Sequence, residues 1–205
     1  YTQKAKLLGL EELFEYDRYA PLQGTHVTYD FETSRAIVLR AFKQFNPKFY
    51  DIATLAFDQK WIDVFPQNKK RGGAFSHPAT PSTHPYVLLN HTNTRRDLFT
   101  LAHELGHAIH QYLSRDVGYL GSDTPLTTSE TASVFAEMLV FDAIKDELNA
   151  QDKRSLYASK IEDIFSTLYR QINFTTFERL VHAHEGEVDI KTFNAYWMQE
   201  SHKIF

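Results

Sequence analysis

Cysteine is absent from the 205 residues. That excludes disulfides, thiolate metal sites, iron–sulfur clusters and a thiol nucleophile, so any metal held by this chain must use imidazole and carboxylate. A cysteine-free chain also fits a reducing compartment, and a cytoplasmic location is the expectation. Glycine and proline are sparse, 8 and 7 residues, well below what collagenous or low-complexity chains carry. No apolar run approaches the roughly 18 residues that a membrane helix needs, and stretches such as Ala36–Leu39 belong to short elements, so no membrane span is expected. Positive charge is also scarce: 22 Lys and Arg stand against 26 Asp and Glu, for a net charge of −4. Only Lys69-Lys70-Arg71 is locally basic. A nucleic-acid partner is not expected, because neutralising phosphates needs clustered cations.

What is present suits a packed globular domain: 42% of residues are apolar and 14% aromatic. The chain reads as a single catalytic-domain fragment, 1–205, with three stretches: helical over 1–60, a small β-hairpin over 61–92, and site-bearing helices over 93–205. It begins at Tyr1 rather than Met and stops at Phe205 within a helical pattern, so a piece of a longer protein is expected.

A short amphipathic stretch covers Lys4–Leu13, and proline biases Tyr16–Pro21 toward extended conformation. Helical periodicity predicts helices over Glu32–Phe45 and Pro47–Gln59, divided at Asn46-Pro47 with proline in the first turn. Gly72–Ser76 and Pro85–Asn90 predict two short antiparallel strands joined by the proline-rich loop Ser76–His84. Helices are then predicted over about Arg95–Ser114, Thr124–Leu148, Asp152–His184 and Ile190–Phe205. The fold class is mainly α (α+β), with a small antiparallel sheet before the central helix. Phe31, Phe42, Phe45 and Tyr50, and Phe165, Tyr169, Phe174 and Phe177, read as core. His182, His184 and Glu185 read as a polar helix end before Gly186.

Leu101-Ala-His-Glu-Leu-Gly-His-Ala-Ile-His110 carries the chemistry. On a helix, His103 and His107 are offset by about 40° around the axis and about 6 Å along it, so both imidazoles converge on one ion. Glu104 lies on the flank, placed to reach a metal-activated water without joining the ligand set. This is the H-E-x-x-H arrangement of two nitrogen ligands and a base. With 10 histidines in the chain, chance would supply it about 0.03 times in a shuffled sequence. The bland alternative, polar residues on a solvated helix face, fits poorly with the apolar neighbours Leu101, Ala102, Leu105, Ala108 and Ile109.

A catalytic zinc held by two histidines takes a third protein ligand. His110 is about 10 Å along the axis from His103, too far to share the ion, and reads as a neighbouring polar group. Glu130, on the next helix, is favoured by position. Glu137, seven residues later on the same face, is the alternative ligand, or the partner of a ligating imidazole's second nitrogen.

The runs Phe99–His110 and Glu130–Glu137 resemble the oligoendopeptidase F branch of the thimet-type (M3) zinc peptidases. Further likeness lies in Lys4–Leu10, Tyr19–Leu22, Trp61–Asp63, Arg71–Ser76 and Pro85–Asn90. The resemblance implies a zincin-like catalytic domain that binds one Zn2+ through His103, His107 and Glu130, with Glu104 as general base in a metalloendopeptidase acting on short peptides. It also implies that the glycine loop and strand at 72–90 line the peptide cleft, making Arg71, Gly72, Gly73, Tyr86, Val87 and Leu88 substrate-binding candidates. For the glycines, a solvated hairpin turn is the alternative. An edge strand within Pro85–Asn90 is expected to pair with the extended substrate. Family members continue into a C-terminal segment whose His and Tyr groups stabilise the oxyanion. A chain without them would lose about 10²–10³ in rate for each such donor, so a zinc- or peptide-binding fragment without catalysis is the alternative function.

Overall fold

The computed structural model describes residues 2–17, 19–22 and 27–204. They form seven α-helices and one three-stranded sheet, in two compact units: His26–Leu148, and Tyr1–Thr25 together with Asn149–Phe205.

α1 (Thr2–Leu8) belongs to the other unit, and the His26–Leu148 unit opens with α2 (Phe31–Phe45) and α3 (Pro47–Asp58). Asp30 caps α2 by accepting from the Thr33 backbone N–H. Asn46 ends α2 in extended conformation, and its side chain caps α3 with Pro47 in the first turn. One residue therefore stops one helix and starts the next, as the Asn-Pro pair predicted. Three short strands follow: β1 (Ile62–Asp63), β2 (Phe75–His77) and β3 (Tyr86–Leu88).

The sheet is not the simple hairpin expected. β2 and β3 pair antiparallel, with Ser76 opposite Val87, but β1 joins the other side of β3 in parallel. The order β1-β3-β2 puts β3 in the middle. The expectation of a free edge within Pro85–Asn90 is therefore corrected: the edges are β1 and β2. Two residues of β1 carried too little periodicity to be read as a strand, and Trp61–Asp63 pairs only because α3 delivers it beside Val87 and Leu89, whose N–H groups bond to the carbonyls of Trp61 and Asp63.

α4 (Arg95–Leu113) and α5 (Leu126–Ile144) complete the unit. α4 starts on a reciprocal capping box between Thr94 and Asp97. The core is built from Val38, Ala41 and Phe42 of α2, Ile52, Ala53 and Ala56 of α3, Leu98, Leu101, Leu105 and Ile109 of α4, and Ala136, Val140 and Ile144 of α5, all buried. Phe45 is half exposed rather than core, and its ring packs edge-on against Phe49 and Phe135.

In the other unit, α6 (Ala150–His182) is capped by Asn149 and α7 (Ile190–Ser201) by Asp189. Lys4 of α1 pairs with Glu162 of α6 at 2.6 Å. Phe177 packs against Phe193 and Trp197 of α7. Phe165 and Tyr169 stack on each other but are exposed, contrary to the core expectation. Tyr16 lies in a 3-10 turn, Glu15–Asp17, rather than in extended chain, and Arg18 of that stretch lies outside the described residues, as does Phe205 at the end of the last predicted helix. α6 ends at His182. His184 Nδ1 lies 2.9 Å from the Tyr196 hydroxyl, and Gly186 takes the turn with φ 92°.

Candidate metal centre

The site lies within the His26–Leu148 unit, between α4 and α5. His107 is hydrogen-bonded to the backbone of Ser129 and faces Glu130, while His103 meets Glu137. Residue number rises along one helix as it falls along the other, so the two run antiparallel. Their approach is set by Gly106. A methyl group on this residue would fall 2.6 Å from the Ala132 carbonyl oxygen, 2.7 Å from Ser133 Cα and 2.8 Å from Ala136 Cβ. No side chain fits there, and the helices meet backbone to backbone.

That closeness delivers Glu130 to the imidazoles. Its Oε2 lies 3.2 Å from His103 Nε2 and 3.4 Å from His107 Nε2. The three ligand atoms lie within 4.8 Å of one another, and these residues are the one such group of three among the described residues. Ligand atoms around a tetrahedral ion with bonds of about 2.0–2.2 Å stand about 3.3–3.6 Å apart, close to the two distances from Glu130 Oε2, and two imidazoles with a carboxylate are donors that suit zinc.

The other nitrogens of both rings are engaged. His103 Nδ1 bonds Glu137 Oε1 at 2.6 Å. With the proton on Nδ1, the Nε2 lone pair points at the centre, which is the tautomer that a ligand requires. Burial opposes protonation of His103, but Glu137, with Glu104 and Glu130, outweighs it and holds the imidazole above its ordinary pKa. His107 is shifted the other way: burial disfavours its charged form, and the neighbouring His103 and His110 add to that against the pull of Glu130.

Glu104 stands outside the converging group. It is buried, and burial pushes its carboxyl up to about 7, with Glu130 and Glu137 adding like-charge repulsion, while His103 and the Ser76 backbone N–H pull it down. A carboxyl poised near neutrality can take a proton and return it.

The remaining sequence candidates are scattered. His110 lines a cavity of about 190 Å³ with His107, Gln111, Ser76 and Ser129, but offers no atom to the converging group. Gln111 accepts from Ser76 Oγ at 2.7 Å and donates to the Ser76 carbonyl at 3.3 Å, tying β2 to α4. Gly72 and Gly73 are exposed, a methyl group on either would meet nothing within 4 Å, and Gly73 has φ 82°, which matches a turn rather than a close approach. Asn90 Nδ2 donates to the carbonyls of Arg71 and Gly73 and fixes that turn. Val87 is buried in the middle strand, whereas Tyr86 is exposed. Sequence reading missed Gly106, Ser133, Ser76 and Gln111. The H-E-x-x-H spacing leaves the residue at Gly106 free, and the others act through atoms that only folding brings near.

The family model described as Peptidase family M3 matches residues 2–205. The chain belongs to Peptidase family M3. Within this M3 family, it is 34% identical over 192 residues to "Oligopeptidase PepF" of Bacillus subtilis (strain 168), covering 90% of this chain and 28% of that protein. It is 30% identical to "Oligoendopeptidase F, chromosomal" of Lactococcus lactis subsp. cremoris, covering 92% of this chain and 32% of that one. The chain thus spans less than a third of the length of these curated M3 relatives. Among solved structures, a candidate peptidase from Chlamydophila abortus superimposes with a TM-score of 0.79 at 29% identity, over 99% of this chain and 35% of that one. A candidate oligoendopeptidase F from Bacillus anthracis str. Ames has a TM-score of 0.82 at 19% identity, over 99% and 38%. The latter likeness concerns the fold.

Proposed function

We propose that the chain is the metal-bearing part of a zinc-dependent endopeptidase that hydrolyses short peptides. The convergence of His103, His107 and Glu130 carries this reading, with membership of the M3 family and the names of its relatives in support. His103 and His107 would hold the ion by Nε2 and Glu130 by a carboxylate oxygen, one ion per chain. A zinc ion held there would supply Lewis-acid chemistry, making water more acidic and polarising the carbonyl to be attacked.

Glu104 accepts the proton of the attacking water and delivers it to the departing amine nitrogen. Its burial suits both steps, since a carboxyl held near neutral pKa gives and takes protons at working pH. Glu137 holds His103 in the ligating tautomer. The peptide backbone is taken along β2, the sheet edge tied to α4, where main-chain pairing tolerates many side chains. Of the substrate-binding candidates, Arg71, Gly72, Gly73 and Tyr86 remain exposed enough to touch a substrate.

Zinc stoichiometry of the purified chain, measured beside peptide turnover by the uncut protein, tests this. One zinc per chain with zinc-dependent turnover is expected. Zinc with no turnover by the uncut protein would leave a binding module, and no zinc at all would remove the centre.

A further inference from the structure

We infer that Ser133 is a positioning residue for the centre: its hydroxyl holds the Glu130 oxygen that faces the two imidazoles. The inference rests on the reading of His103, His107 and Glu130 as a metal set.

The Glu130 side chain is 60% exposed, so solvent alone would let its carboxylate turn away. Ser133 is fully buried, one helical turn further along α5, and its Cα sits in the crossing that Gly106 opens. Its Oγ donates to Glu130 Oε2 at 2.8 Å, with the Glu130 backbone carbonyl a longer second acceptor at 3.1 Å. Oε2 is the same atom that lies 3.2 and 3.4 Å from the imidazole nitrogens.

The plain role of a serine inside a helix is to bond the carbonyl one turn back. Ser129 does only that, with its Oγ on the Leu126 carbonyl at 3.1 Å. At Ser133 the shorter contact goes to a carboxylate, which is the stronger acceptor. A rigid, buried donor therefore fixes an otherwise free ligand oxygen, leaving its remaining lone pair for the ion.

Ser133→Ala removes the hydroxyl without adding volume. Zinc affinity, measured by competition with a chromophoric chelator, is expected to fall about tenfold, as when groups supporting a metal ligand are lost. The melting temperature of the metal-free chain should stay at the parent value. Ser133→Gly, which also lacks the hydroxyl and adds no atom to the crossing, should show the same loss of affinity. In a Glu130→Ala background, Ser133→Ala should make no further difference. Affinity unchanged in both single variants while Glu130→Ala loses zinc would overturn this inference alone. An undiminished effect in the Glu130→Ala background would assign the hydroxyl a structural role and also overturn it. If Glu130→Ala itself binds zinc like the parent, the metal set fails and the inference with it.

Discussion

A methyl group on Gly106 would stand 2.6 Å from the carbonyl oxygen of Ala132, so the helix bearing both histidines touches the helix bearing Glu130 without a side chain between them. Gly106→Ala sets two effects in opposition. Alanine favours a helix interior by about 1 kcal/mol over glycine, whereas overpacking a filled crossing costs about 1–3 kcal/mol. Because the nearest atoms are backbone, the second effect wins. The variant should melt below the parent and bind zinc more weakly, as Glu130 is pushed from the imidazoles. Thermal melts with and without zinc check both, and a variant that melts higher while keeping its affinity contradicts the crossing.

Glu104→Gln should retain zinc and lose peptide hydrolysis by about 10²–10⁴-fold, because a neutral amide is too weak a base to take the proton of the attacking water. His103→Ala should lose both zinc and turnover. The measurements are metal content and cleavage of a quenched peptide by the uncut enzyme. Near-parental turnover in the Gln variant would remove Glu104 from the role of base.

Glu137→Ala leaves His103 Nδ1 without its carboxylate partner at 2.6 Å. Loss of such a partner typically costs 10–100-fold in metal affinity, and a chelator titration should show a weakening of about that size. Far-UV circular dichroism should be unchanged. Parental affinity would mean that the contact does not set the tautomer.

Asp97 gives a pH-dependent prediction away from the centre. Burial alone would raise its pKa, but hydrogen bonds from Thr94 and Thr92 outweigh that and hold it below the ordinary carboxylate value. A lowered folded-state pKa means that the contribution to stability is complete above the unfolded value of about 3.9 and fades as pH falls through the folded one. Asp97→Ala should thus lower the melting temperature near pH 7, with the gap between parent and variant closing at acid pH. Melting curves at pH 7 and pH 3 test this, and a gap that widens in acid has the wrong sign.

Local rules made much of the fold readable. Asn46-Pro47 marked a helix boundary because both a cap and a first-turn proline act within a few residues. β1 was not legible: two residues carry no period, and its pairing with β3 depends on where α3 ends. The exposure of Phe165 and Tyr169 was likewise hidden, since aromatic content reports what a chain can bury and not which face finds a partner.

The sequence by itself determined the pair His103 and His107 with Glu104 beside them, since three residues on one turn of helix have their relative directions fixed by the helical repeat. It favoured Glu130 over Glu137 by position, with Glu137 as the alternative ligand or the partner of an imidazole. Only the tertiary structure divided their roles: the antiparallel crossing opened by Gly106 sets one glutamate before the Nε2 atoms and the other behind Nδ1 of His103. Residues on separate helices acquire a distance only when the backbones pack.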